Sequence, residues 1–223
     1  MRKALTIGEL LITMAIIGTI SALVLPGVIK DYHKRVYVTK LKKVVEMLDS
    51  AINQACSDNN VSYFYQTPYA AAYNSGGASQ AFIDKYFKKA SGDNSRPFAS
   101  KYGIINSSST GSFSLANDRH GYAKLASGEA VSFFCWANSD TNSRYCRFRV
   151  DINSTEGPNI GGRDLFSIYI DKYTNKIFDN DPVTECGKEY IDTEDENKTK
   201  TKYNFEGKGC FAQLLENNWE MKY

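Results

Sequence analysis

The hydrophobic positions of this chain are unevenly spread, and the densest run lies near its start. Twenty consecutive uncharged residues, Leu10 to Ile29, read LLITMAIIGTISALVLPGVI between Glu9 and Lys30. As a helix at 1.5 Å per residue this run spans about 30 Å, the thickness of a bilayer hydrocarbon core. A core helix in a small protein is rarely apolar all round for so long, so the pattern predicts membrane insertion. After Ile29 the pattern changes rather than stops. Leu41, Val44, Val45, Leu48, Ile52 and Ala55 recur at three- and four-residue steps, with Lys and Glu on the other face. That is an amphipathic stripe. It predicts one helix from about Thr6 to the region of Cys56, half in lipid and half packed on a domain.

Residues 57–78, rich in Asn and Tyr, read as an irregular connection. Ser79 is placed to cap a short helix through Ala90, with Phe82, Ile83, Tyr86 and Phe87 on one face. From Tyr102 onward strands and turns dominate. Val131–Trp136 and Tyr145–Val150, separated by Asn, Ser, Asp and Thr, read as a hairpin. Leu165–Asp171 is a further strand, with Lys176-Ile177-Phe178 returning beside it. Gly209–Leu215 suggests a short helix packed back on the domain, anchored by Trp219 and Tyr223.

Composition narrows the function classes. The 223 residues allow one ordinary domain with appendages, and 42% hydrophobic with 23% charged residues argues against wholesale disorder. A net charge of +2 offers no electrostatic case for nucleic acid. His33 and His120 are the only histidines and lie far apart in sequence, so a His-based metal centre or catalytic triad has little to build on. We expect no enzyme activity.

The start of the chain admits several readings. Met1-Arg2-Lys3 is a basic start, but the apolar run exceeds the roughly 7–15 residues of a cleaved secretory signal. A simple anchor fits the length and leaves Glu9 without a purpose. A carboxylate at the entrance to a membrane segment is costly and is a default suspect for function. The plain alternative is that Glu9 lies among the headgroups.

Ala4-Leu5-Thr6-Ile7-Gly8-Glu9-Leu10-Leu11-Ile12, followed by the apolar run, resembles the class III signal of type IV pilins and type II secretion pseudopilins. The resemblance is specific over residues 1–35 and suggestive over 100–223. It implies cleavage by a prepilin peptidase between Ala4 and Leu5, N-methylation of Leu5, and an assembly role for Glu9. Ala4 stands where the family usually has Gly, and Leu5 where Phe is commoner. Pro26 falls where family members carry a helix-kinking proline. The implied fold is α+β and pilin-like: leader 1–4, membrane and assembly helix 5–29, amphipathic continuation 30–56, and a head over 57–223 built on a small antiparallel sheet. The implied function is that of a pseudopilin or minor pilin, a structural subunit of a type II secretion pseudopilus or type IV pilus. Implied partners are other pilin or pseudopilin subunits, the peptidase and methyltransferase, an inner-membrane assembly platform and membrane lipid. The alternative is a single-span anchored binding domain that never polymerises. An exported hydrolase would need a catalytic set that the sequence does not supply.

Topology contains a conflict. Arg2 and Lys3 precede the span while Lys30, Lys34, Arg35, Lys40, Lys42 and Lys43 follow it, and a bare count would keep the C-terminus cytoplasmic. The resemblance and the cysteines favour a cytoplasmic N-terminus in the bacterial inner membrane with an extracytoplasmic head. The basic cluster over 30–43 reads first as a solvated helix face, with lipid headgroups as the other partner.

Cys135 and Cys146 flank the expected hairpin, and Cys186 and Cys210 bracket a polar loop, so two disulfides are the economical hypothesis. The second resembles the disulfide-bounded C-terminal loop of many type IV pilins. Cys56 is left as a small buried hydrophobe. The loop is acidic from Asp179 to Glu196 and basic after, at Lys198, Lys200 and Lys202, and reads as solvated surface or as a face for a charged neighbour. Asp151, Asn153, Asn159 and Asp164 offer oxygen ligands to a hard cation. Some type II pseudopilins bind calcium in a C-terminal loop, so calcium is the one candidate cofactor. The alternative is that these side chains stabilise tight turns. Gly157–Gly162 lacks the spacing of a phosphate-binding loop.

Overall fold

The computed structural model describes residues 6–72, 75–91, 96–105, 110–112, 120–137, 144–171, 173–179, 186–187, 189–192, 200–203 and 205–223. Contacts divide the chain into two units, Met1–Val36 and Tyr37–Tyr223. The first helix, α1, is Ile7–Asp58 and includes Pro26. Its residues up to Ile29 are exposed apart from the half-buried Ser21. It is the one helix among the described residues long and apolar enough to cross a membrane. Its second half belongs to the head unit, where Val38, Leu41, Val44, Leu48, Ala51, Ile52, Ala55 and Cys56 are buried. The amphipathic stripe is therefore a core face, and Val45 packs at its margin.

The stretch read as an irregular connection is more ordered than its composition suggests. A 3-10 turn over Phe64–Gln66 leads into a short helix α2, Pro68–Ala71, with Pro68 in its first turn. Phe64 is buried edge-on to Phe82 and Phe133, at 5.1 and 5.8 Å between ring centroids. Helix α3, Gly76–Tyr86, starts earlier than the sequence suggests, because the Ser75 hydroxyl rather than that of Ser79 accepts from the Ala78 amide. Ser79 lies inside the helix and is buried. The helix also ends earlier: Phe87 is extended and stacks on Phe148, and Ala90 N–H donates to the Lys124 carbonyl. Lys85 and Tyr86 both bind Asp58, at 2.7 and 3.0 Å, tying α3 to the end of α1.

The strands are β1 Lys101–Ile104, β2 Thr110–Ser112, β3 Gly121–Lys124, β4 Ala130–Ala137, β5 Arg144–Asp151, β6 Ile160–Gly161, β7 Leu165–Ile170, β8 Ile177–Phe178, β9 Glu189–Asp192 and β10 Lys200–Tyr203. The main sheet runs β2-β1-β6-β7-β5-β4-β3, with β8 also paired to β7. The expected hairpin is β4–β5, in register from Ala130↔Asp151 to Ala137↔Arg144. The return strand is β8, antiparallel to β7. One expectation is corrected: the sheet is mixed, not antiparallel, since β1 pairs with β6 and β6 with β7 in parallel. No hairpin joins β1 to β6, so nothing local sets their relative direction.

The strands carry two faces at period two. Phe133, Phe148, Val150, Phe166, Ile168 and Ile170 join the α1 stripe and α3 in the main core. On the alternate positions Ala130 and Leu165 join Phe98 and Tyr102 in a second, smaller cluster beside Tyr122 and Phe205. The last helix, α4, is Cys210–Glu216, with Phe211 and Leu214 buried. Trp219 packs edge-on to Phe211, and the Tyr223 hydroxyl donates to the Gly162 carbonyl at 2.8 Å, as the sequence's two anchors suggest. The stretch read as a polar loop contains the two-stranded sheet of β9 and β10, in which the acidic strand pairs with the basic one.

Candidate functional site

The front of α1 is built around Thr6 and Glu9. The Thr6 amide and hydroxyl both donate to Glu9 Oε2 at 2.9 Å, and the Glu9 amide donates to the Thr6 hydroxyl oxygen at 3.2 Å. This is a reciprocal capping box, in which Thr at the cap and Glu three residues on satisfy each other's free amides. The positive end of the helix dipole favours a carboxylate there. The sequence carries the signal for this box, Thr-x-x-Glu ahead of an apolar run. Ala4 and Leu5, the implied cleavage and methylation positions, lie outside the described residues. Behind Glu9 the apolar side chains face outward, and the helix continues across Pro26, which cannot donate to the Ala22 carbonyl.

The four residues considered for calcium lie in the connection from β5 to β7 and at its two ends. Asp151 is fully buried; it accepts from the Tyr102 hydroxyl and, at 3.1 Å, from the Asn153 amide. Burial, reinforced by nearby Asp164, pushes its carboxyl up to about 8 despite the Tyr102 and backbone donors. Asp164, also fully buried, accepts from the amides of Asn159 at 2.7 Å and Ile160 at 2.6 Å. Burial lifts its carboxyl to about 6 against those donors. Asn153 Nδ2 donates to the Gly157 carbonyl at 2.7 Å, across the turn that holds the cis Gly157–Pro158 peptide. Asn159 has a positive φ of 53°. The carboxylates are thus engaged by N–H and O–H donors, and the side-chain oxygens of Asn153 and Asn159 are buried without a hydrogen bond. Calcium takes about 6–8 oxygens. Among the described residues no group of three or more His, Cys, Asp or Glu is placed to hold a metal. Turn stabilisation, the alternative left open by the sequence, accounts for the contacts of Asp151, Asp164 and the Asn153 amide nitrogen, but not for the two buried Asn oxygens.

Gly162 shows why this loop requires a glycine. Its φ is +84°, and a Cβ there would lie 2.2 Å from the Cys210 sulfur. The loop needs a bare backbone because the C-terminal segment packs directly on it.

Both disulfides are present. Cys135 and Cys146 are opposed in the β4–β5 register, and Cys186 is joined to Cys210 at the start of α4. Cys56 is free and buried, its thiol pushed up by burial, and Asn175 Nδ2 donates to its sulfur at 3.7 Å. Asn175 was not singled out in sequence. Its side chain also accepts from the Phe64 amide at 2.8 Å and donates to the Ser62 carbonyl at 3.0 Å. It thereby clamps the chain after α1 to the β7–β8 turn.

A second feature missed in sequence lies on the sheet face away from α1. Arg147 and Arg149 bind the two oxygens of Glu206 at 2.9 and 2.7 Å, fixing the segment before α4 on the sheet. Burial opposes ionisation of Glu206, but the two guanidiniums win and hold its carboxyl below the usual range. His120 stacks on Phe134 with 4.5 Å between ring centroids; burial, then Arg149 and Arg147, pushes it down to about 3. Alternation along β5 places both arginines on one face, but only the fold brings Glu206 to them.

No family model, no curated protein and no solved structure matches this chain.

Proposed function

We propose that the chain is a structural subunit of a type IV pilus or type II secretion pseudopilus. The observation that carries this reading is the join of an outward-facing apolar helix, with one carboxylate at its front edge, to a disulfide-bonded α+β head. On this reading a prepilin peptidase cuts between Ala4 and Leu5, and the new Leu5 amine is methylated. The assembly platform then moves the helix from the membrane into a filament. There the Glu9 carboxylate of one subunit pairs with the Leu5 amine of a neighbour. Both charges are expensive in apolar surroundings, so their pairing specifies axial register as well as cohesion. The head acts by packing and display, not by catalysis.

The capping box favours a second reading, since it accounts for Glu9 without any neighbour. The chain would then be an anchored domain that does not polymerise. Glu9→Gln separates the two, because Gln also serves in a capping box but carries no charge. Under the assembly reading Glu9→Gln inserts in the membrane, folds, and fails to enter filaments in the native host. Thr6→Ala weakens the cap by about 1 kcal/mol, keeps the charge and still assembles. Filament entry of Glu9→Gln at the wild-type level would overturn the assembly role and leave the anchored domain.

A further inference from the structure

We propose that Lys30, Lys34 and Arg35, with Tyr32 among them, form a collar that binds anionic phospholipid headgroups where α1 leaves the hydrocarbon. The proposal rests on insertion of Leu10–Ile29, which the filament and anchored-domain readings share.

Depth is the first argument. At 1.5 Å per residue, Lys30, Lys34 and Arg35 lie about 1.5, 7.5 and 9 Å beyond Ile29 along the helix. The headgroup layer is roughly 5–8 Å thick on each side of a bilayer. The three cations are therefore within side-chain reach of the phosphates. Lys40, Lys42 and Lys43 belong to the head unit, further along the sequence. The basic cluster over 30–43 is thus divided between the two units, and the collar is the part that directly follows the apolar run.

Exposure and charge supply the rest. Lys30 and Arg35 are exposed and Lys34 is half-exposed, on a helical unit whose flank is apolar up to Ile29. Lys30 and Lys34 are four residues apart on one face, and Arg35 lies about 100° further round. The collar therefore meets lipids on more than one side. Tyr32 is 64% exposed at the same depth, where an amphipathic ring sits well between tails and water. Three cations against Asp31 leave a net of two positive charges in this stretch. Juxtamembrane cations attract anionic lipid with an effect that compounds per charge, so two net charges correspond to roughly thirtyfold enrichment at low salt. A merely solvated helix face would show no lipid preference.

The test uses the full chain in nanodiscs of phosphatidylcholine containing a minority of phosphatidylglycerol, with retained lipids counted by native mass spectrometry at low and high ionic strength. The wild type should retain phosphatidylglycerol and phosphatidylcholine in a ratio about thirtyfold above the bulk ratio at low salt, and much less at high salt. The triple change Lys30→Gln, Lys34→Gln, Arg35→Gln should return retention to the bulk ratio. The triple change Lys40→Gln, Lys42→Gln, Lys43→Gln should leave it intact. Wild-type retention at the bulk ratio, or equal loss in both triple variants, would overturn the collar. If the collar variant fails to insert, the wild-type salt dependence decides, and enrichment indifferent to salt would sink the proposal. A filament defect in Glu9→Gln has no bearing on these lipid counts, so failure of the collar and failure of the assembly reading are separable.

Discussion

Asp151→Asn should change how the stability of the head depends on pH while preserving the fold. The carboxyl is fully buried, with Tyr102 donating to one oxygen and the Asn153 amide to the other. Burial raises it from 3.8 to about 8. Between those values the folded chain keeps a proton that the unfolded chain gives up. The resulting stabilisation is fully present below about pH 4 and is lost as pH rises through about 8. Each unit within that window corresponds to about 1.4 kcal/mol, so from about pH 5 to 7 this group removes about 3 kcal/mol. Asp164, raised to about 6, acts with the same sign, and its loss is nearly complete by about pH 7. Glu206 has the opposite sign. Its lowered carboxyl contributes stability above 4.5 that is lost as pH falls below it, outside this window. Asn at 151 keeps an oxygen for the Asn153 amide and does not titrate. At about 2–4 °C per kcal/mol for a chain of this size, the wild-type melting point should fall about 6–12 °C further than the variant's between about pH 5 and 7. The assay is thermal unfolding of the full chain in detergent micelles, followed by near-UV circular dichroism. Equal slopes for wild type and variant would refute the assignment of that proton to Asp151.

Leu48→Ala removes a fully buried side chain from the α1 stripe and should cost about 2–5 kcal/mol in chemical denaturation. Gly121→Ala places a Cβ 2.4 Å from the Ser79 backbone, so β3 and α3 must separate; a loss of about 1–3 kcal/mol or more is expected in the same assay. Asn175→Ala strands the Phe64 amide and should cost about 1–3 kcal/mol, with faster exchange of that amide in hydrogen–deuterium measurements. Replacing Cys186 and Cys210 together by Ser opens a loop with 24-residue separation, and should lower stability by about 3 kcal/mol on the chain-entropy account.

What the sequence made legible was the part governed by periodicity. The apolar run, the stripe from Leu41 to Ala55, the β4–β5 hairpin, β7 with β8, and α4 with Trp219 all repeat at a period set by local geometry. What escaped it depended on contacts between distant segments or on single caps. Ser75 and Ser79 are equally good caps in composition, and in the folded chain Ser75 takes the Ala78 amide while Ser79 is buried within the helix. The parallel β1–β6 pair joins strands with no local turn between them. Glu206 reaches Arg147 and Arg149 across almost sixty residues. At the front of α1 the Thr6–Glu9 capping box is local, and Thr-x-x-Glu ahead of an apolar run encodes it directly.

The reading of this chain as a filament subunit depends on processing at its first residues, and the intact mass with the N-terminal peptide from native membranes tests that most directly. The account predicts loss of Met1–Ala4 and one methyl group on the amine of Leu5. A mature chain that still begins at Met1 or Arg2, with Leu5 unmodified, would contradict it and make α1 an ordinary membrane anchor.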